Sequence, residues 1–175
     1  LGGVVSGSGA LIKNGAANLT LTGANTYQGG TTLNAGTLTL GNAAALGSGA
    51  LVVAGAATLD NNAALTVGNG ITLNSGLTVA GSNDLTLGGV IDGAGSLTKS
   101  GLADLTLAGN NTFTGALNIA SGTVTTANAN ALGNTSGVNI ATGAGLNLGS
   151  DASLDALRGG GSVQTGVGTT LTIGG

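Results

Sequence analysis

The stretch LTVGNGITLNSGLTVAGSNDLTL, residues 65–87, contains the pattern that decides the fold. An apolar residue, a threonine and a second apolar residue recur four times, separated by short spacers rich in Gly, Asn and Ser. A period of two predicts short strands with both apolar residues on one face. Glycine and asparagine tolerate positive φ, so the spacers predict a sharp turn about every 6 to 8 residues.

The same triplet, with Thr or Asn in the middle, recurs along the chain. Three such strands make a coil of roughly 20 to 22 residues. A β-sandwich would need longer strands and a richer aromatic core than the two aromatic residues of this chain, Tyr27 and Phe113, supply. The sequence therefore predicts an all-β fold, a parallel β-helix (solenoid) of about eight coils, with Leu stacked on Leu, Thr on Thr and Asn on Asn. The further triplets are residues 19–21, 105–107, 117–119, 138–140, 146–148 and 171–173.

The composition excludes most kinds of catalytic, metal-binding and nucleic-acid-binding site. The 175 residues include no His, Cys, Met, Trp, Pro or Glu, and the charged side chains are three basic residues and six aspartates. A catalytic triad lacks its base, a zinc site lacks its soft ligands, and three basic residues cannot neutralise a nucleic-acid backbone. We therefore predict no enzyme, no catalytic or metal-ligating residue, no cofactor, no nucleic acid and no small-molecule substrate.

The chain repeats itself at an offset of 86 residues. Residues 3–48 lie over 89–134 without a gap and half of the positions are identical, and a partial third copy spans 159–173. We therefore predict one β-solenoid over 1–175, with a repeat unit of about four coils and structural roles for the shared positions. These repeat-signature positions are Gly7, Gly9, Leu11, Lys13, Leu19, Leu21, Asn25, Tyr27, Gly93, Gly95, Leu97, Lys99, Leu105, Leu107, Asn111 and Phe113.

Some positions carry more specific expectations. Tyr27 and Phe113 are expected to cover a corner of the coil, since aromatic rings bury large areas, with a sugar-stacking platform as the alternative. Lys13 and Lys99 are expected to extend their stems over a strand edge towards solvent. Three segments are interpreted as packing corners that bulge from the rod: 42–46, 128–132 and 151–157.

Two ligand hypotheses remain open beside the structural one. Asp92, Asp104 and the pair Asp151/Asp155 are the places where calcium ligands could gather, although the spacing of known calcium loops is absent and solvated corner carboxylates are the simpler interpretation. The outward threonines could order water and bind ice, but they occur singly within each triplet.

The run GSGALIKNGAANLTLTGANTYQGGTTLNAGTL, residues 7–38, closely resembles the passenger-associated transport repeat of bacterial autotransporters. A second copy spans 93–124 and departs from the first at 116–118, where Ala-Leu-Asn replaces Gly-Thr-Thr. The resemblance implies a right-handed β-helical passenger of a Gram-negative bacterium, exported through an outer-membrane barrel of the same parent chain and then displayed on the cell surface or secreted.

The function that this resemblance implies is structural. We expect a stalk segment that supports secretion by sequential folding of its coils. The alternative is an adhesin-type module whose lateral face contacts host glycan or another passenger, and exposed strand edges make self-association a further expectation. Because the chain begins and ends within a repeat, we expect it to be a piece of a longer protein.

Overall fold

A computed structural model describes residues 1–174 of the chain. These residues form twenty-one β-strands and no α-helix, and no helix among them is long and apolar enough to cross a membrane. Most strands have three residues, because each apolar-polar-apolar triplet is bounded by turn residues. Every strand pair is parallel, and the strands stack as about eight turns of one coil. The predicted parallel β-solenoid is confirmed; its hand stays a prediction.

The strands line three sides of the coil, which we call faces A, B and C. On face A lie β1 (Leu11–Lys13), β3 (Thr31–Leu33), β5 (Leu51–Val53), β8 (Ile71–Leu73) and β11 (Ile91–Gly93), followed after a gap by β18 (Ala152–Leu154) and β21 (Leu171–Ile173). On face B lie β2 (Leu19–Leu21), β4 (Gly36–Leu40), β6 (Ala57–Asn61), β9 (Leu77–Val79), β12 (Leu97–Lys99), β14 (Leu117–Ile119), β16 (Val138–Ile140) and β19 (Leu157–Gly159). On face C lie β7 (Leu65–Val67), β10 (Leu85–Leu87), β13 (Leu105–Leu107), β15 (Thr123–Thr126), β17 (Gly145–Leu148) and β20 (Ser162–Thr165).

Successive coils are in register with like residues on top of one another. Leu85 lies opposite Leu105 and Thr86 opposite Thr106, with a spacing of 20 residues. On face B, Asn118 lies opposite Asn139. The register therefore places leucines on leucines along the inside and polar residues on polar residues along the outside.

The core is a thin column of aliphatic side chains inside the coil. In β13, Leu105 and Leu107 are fully buried while Thr106 between them is partly exposed, which is the alternation that a strand imposes. The same pattern holds in β9, β10, β12 and β14. Each inward residue therefore packs mainly against its own coil and the two adjacent coils.

The interpretation of 151–157 as a corner was wrong. Ala152 and Leu154 point inward in β18, and Leu157 begins β19 on the next face. Leu154 and Leu157 are three residues apart, as two residues on one face of a helix would be. In the structure they belong to two different strands that a short turn separates. The alanine-rich segments 42–46 and 128–132 are turns, closed by hydrogen bonds such as that from the Ala45 amide to the Asn42 carbonyl at 3.0 Å.

The 86-residue offset corresponds to four coils plus one face. The first copy of the Leu-x-Lys strand, β1, lies on face A, whereas its equivalent, β12, lies on face B. Likewise β2 lies on face B and β13 on face C. The two copies are therefore turned by one face relative to each other, because 86 is not a multiple of the 20-residue coil.

We predict that Leu105→Asp unravels the coil that contains β13. A carboxylate in the aliphatic column has no partner, and such burial destabilises by about 4 kcal/mol or more. Because coils depend on their neighbours, loss of amide protection should concentrate in β10, β13 and β15, measured by hydrogen exchange.

Thr106→Asp is the matched control on the same strand, since Thr106 faces outward. We expect it to change the free energy of unfolding by about 0.5 kcal/mol or less. Equal protection of β13 in Leu105→Asp and in the control would contradict the coil model.

Candidate functional site

The glycines and leucines of the repeat signature form the frame of each copy. Leu21, Leu97, Leu105 and Leu107 are buried in the column, and Leu11 and Leu19 are partly buried in the first coil. Gly93 has a φ of +96°, and a Cβ there would lie 2.3 Å from the Leu73 carbonyl oxygen of the coil below. Gly95 is equally close to the backbone of Ser75, whereas Gly7 and Gly9 have open space around them.

The two signature lysines are buried, and the prediction that they extend towards solvent was wrong. Lys13 is 6% exposed and Lys99 is not exposed at all. The Lys13 ammonium donates to the carbonyl of Gly15 at 2.7 Å and to that of Ala35 at 3.0 Å. Lys99 repeats these contacts 86 residues later, with the carbonyls of Gly101 and Ser121. Each ammonium therefore joins the turn after its own strand to the next coil.

Gly81 leaves space for the ammonium of Lys99. Lys99 lies in β12 above Val79 of β9, and its Nζ turns towards Gly81 in the corner that follows β9. A Cβ on Gly81 would lie 2.6 Å from that Nζ. Burial lowers the pKa of Lys99 below its ordinary value of 10.5, while the carboxylates of Asp104 and Asp84 act in the opposite direction.

The two signature asparagines each connect three successive coils. The Asn25 side-chain oxygen accepts from the Val5 amide at 2.8 Å, and its Nδ2 donates to the Ala45 carbonyl at 2.6 Å. Asn111 makes the same pair of bonds, with Ile91 and Ala131, at the same distances. The partners lie 20 residues before and 20 residues after each asparagine, hence in the coils on either side. We call these lysine and asparagine contacts the corner clamps.

The two aromatic rings fill equivalent interior positions with different partners. Tyr27 and Phe113 are both buried, so neither ring presents a face on which a sugar could stack. The Tyr27 hydroxyl forms a hydrogen bond with the Thr31 hydroxyl, and burial raises the pKa of Tyr27, an effect that this bond opposes. In the second copy, Phe113 replaces Tyr27 and Leu117 replaces Thr31, and both are buried. The sequence departure at 116–118 thus exchanges a polar pair for an apolar pair.

The backbone of the two copies remains the same at this departure. The Thr31 amide donates to the Ala50 carbonyl at 2.8 Å, and the Leu117 amide donates to the Gly137 carbonyl at 3.0 Å. The exchange of side chains therefore leaves the stacking of the coils intact.

A fifth clamp, formed by Asn61 outside the repeat signature, was not predicted from the sequence. Asn61 ends β6 and is fully buried, and its Nδ2 donates to the carbonyls of Ala63 at 2.7 Å and Asp84 at 3.0 Å. This is the lysine pattern, with one acceptor two residues ahead and one in the next coil. The run Asp60–Asn62 resembles a turn, and only the alternation of Ala57, Leu59 and Asn61 could have indicated an inward residue.

The aspartates do not gather into a cluster. Within residues 1–174 no group of three or more His, Cys, Asp or Glu side chains is placed to hold a metal ion. Asp151 and Asp155 flank β18 on its exposed side, and the Asp151 carboxylate accepts from the Thr170 amide at 2.7 Å. A calcium site built from several of the predicted aspartates is therefore wrong for the described chain.

We predict that Lys99→Met destabilises the protein, because the carbonyls of Gly101 and Ser121 lose a buried donor. The expected loss at neutral pH is about 1 to 3 kcal/mol. The native pKa of Lys99 is lowered, so the unfolded chain binds more protons between that pKa and 10.5. The free energy of unfolding of the unsubstituted protein should then rise, relative to Lys99→Met, as the pH increases from neutrality towards 10. Urea titrations at several pH values measure the difference, and a difference independent of pH would count against burial of the ammonium.

We also predict that Tyr27→Phe and Thr31→Leu compensate each other. Either substitution alone leaves a buried hydroxyl without its partner, at a cost of about 1 to 3 kcal/mol. The double variant recreates the Phe113 and Leu117 pair of the second copy and should recover most of the loss. A double-mutant cycle by chemical denaturation measures the coupling. Strictly additive effects would show that the two side chains act independently.

The comparisons with known proteins agree with this geometry. The family model of the passenger-associated-transport-repeat matches residues 11–40 and 97–125, which contain both Leu-x-Lys strands, both asparagine clamps and both aromatic residues. No curated protein and no solved structure matches the chain significantly. The chain thus contains two passenger-associated transport repeats within a parallel β-solenoid, an arrangement that fits a repeat region of an autotransporter passenger.

Proposed function

We propose that this chain is a stalk segment whose two repeats lock newly formed coils during export. The observation that carries the proposal is the asparagine clamp, in which one buried side chain connects three successive coils. Backbone hydrogen bonds join neighbouring coils at these corners, and the clamps add side-chain bonds to them. A growing coil that acquires such a clamp is held to the two coils beside it.

The spacing of the contacts supports folding that proceeds along the chain. Paired strands lie about 20 residues apart, and the clamp bonds between coils join residues 20 to 23 apart. A coil can therefore form as soon as its own residues and those of one neighbour are available, without waiting for distant segments. Such stepwise folding outside the membrane would oppose backward sliding of the chain and favour its export.

The family supports the wider setting of this proposal. A passenger repeat indicates linkage to an outer-membrane barrel in the parent chain and a location at the surface of a Gram-negative bacterium or in its surroundings. The role is mechanical and not catalytic: the buried groups of the repeats contact other groups of the chain.

The test is surface display of the parent chain with Asn111→Ala. Loss of the clamp removes two hydrogen bonds between coils, and we expect display to fall several-fold, with new protease cleavage between residues 91 and 131. Antibody labelling of intact cells, divided by the total amount of the chain, measures the display.

Asn110→Ala is the matched control, because Asn110 is the exposed neighbour of Asn111. It should display normally. If Asn111→Ala lowers the stability of the purified chain but leaves display unchanged, the clamp is only structural and the proposed role in export is wrong.

A further inference from the structure

The turn after β1 contains one of the two Asn-Gly pairs of the chain. Asn14 and Gly15 are both exposed, whereas Asn69 and Gly70, the second pair, are partly buried. In such a pair the next backbone nitrogen can attack the side-chain carbonyl of the asparagine, because glycine has no side chain to obstruct the approach. The two pairs have the same covalent structure, so a difference between them comes from the groups around them.

The side-chain oxygen of Asn14 accepts a hydrogen bond from the next coil. The Asn34 Nδ2, in the turn after β3, donates to the Asn14 Oδ1 at 2.6 Å. Attack on the side-chain carbonyl turns this oxygen into an oxyanion, and a donor that already points at it stabilises the new charge. Asn34 therefore polarises the carbonyl group that the backbone nitrogen attacks.

The Lys13 ammonium acts on the attacking peptide group. Its Nζ donates to the Asn14 carbonyl at 3.3 Å and to the Gly15 carbonyl at 2.7 Å. The Asn14 carbonyl and the Gly15 nitrogen share one peptide bond, so loss of the N–H proton spreads negative charge onto that carbonyl oxygen. Because Lys13 is only 6% exposed, water screens its charge weakly, and the ammonium stabilises this anion.

The second Asn-Gly pair has the opposite arrangement. The Asn69 Nδ2 donates to the Gly47 carbonyl at 3.0 Å and to the Gly49 carbonyl at 2.7 Å. These bonds favour the intact amide, because they are lost when the nitrogen leaves. The second repeat has no such pair at the equivalent place, since Ser100 and Ala120 replace Asn14 and Asn34.

We propose that Asn14 is a site of self-modification, at which the folded chain converts asparagine into aspartate and isoaspartate. The Gly15 nitrogen gives its proton to water and forms a bond to the Asn14 Cγ. The Cγ–Nδ2 bond then breaks, and Nδ2 takes up a proton and leaves as ammonia. Water opens the resulting succinimide at either of its carbonyls. The balance is one water consumed and one ammonia released, with no oxidant or reductant.

The product alters the first lysine clamp. A carboxylate at residue 14 lies beside the Lys13 ammonium and competes with the Ala35 carbonyl, to which Lys13 donates at 3.0 Å. Isoaspartate also adds a methylene group to the main chain directly after β1, and this lengthening disturbs the pairing of β1 with β3. The modification therefore loosens the first repeat and leaves the second unchanged.

The experiment incubates the folded chain at mildly alkaline pH and follows both asparagines by tandem mass spectrometry. Digestion before Asp60 and Asp84 places Asn14 and Asn69 on different peptides. In the folded chain Asn14 should convert many-fold faster than Asn69, and several-fold faster than Asn14 in a chain unfolded by urea. In urea the two asparagines should convert at similar rates, since both precede glycine.

Asn34→Ala is the matched variant, because it introduces the residue of the second copy and removes the donor to Asn14. It should slow the conversion of Asn14 several-fold and leave that of Asn69 unchanged, with circular dichroism showing that the chain is folded. Equal conversion of the two asparagines in the folded chain would overturn the proposal. The same holds if folding slows Asn14 as much as it slows Asn69, or if Asn34→Ala converts at the original rate.

Discussion

The structure depends on the in-register hydrogen bonding of each coil to the next. Strands of three residues form too few bonds to hold a pair together alone, so stability comes from repeating the same pairing along the rod. The register also determines what is inside, because a slip of one residue would turn each leucine of the column outward. Glycine at the corners protects this register. A Cβ at Gly47, for example, would lie 2.2 Å from the Tyr27 carbonyl and push two coils apart.

The polar residues of the repeats are buried at the corners between the strands. The amides of Asn25 and Asn61 and the ammonium of Lys99 have one task, which is to donate to carbonyl groups that the turns leave without ladder partners. Burial of an ammonium is costly, and the carbonyl oxygens around Lys99 offset part of that cost. The repeats thus add side-chain bonds between coils to the backbone bonds at the corners.

Much of the fold follows from the sequence, because the triplets and the glycine spacers act locally. The coil length, the stacking of like residues and the number of coils all derive from residues such as Leu85, Thr86 and Leu87 and their counterparts 20 residues away. The burial of Lys99 could not be predicted, since its carbonyl partners come from a corner and from the next coil. Asn61 was missed for the same reason, and β18 was missed because the spacing of Leu154 and Leu157 suits a helix as well as two short strands.

The rotation of the second copy by one face has a consequence for longer arrays. A chain that kept the same 86-residue period would set its third copy on the remaining side of the rod and its fourth above the first. The motifs would then follow a screw path of three steps per revolution about the long axis. The corner clamps would then be distributed evenly around the long axis. No one side of the rod would bend more easily than the others.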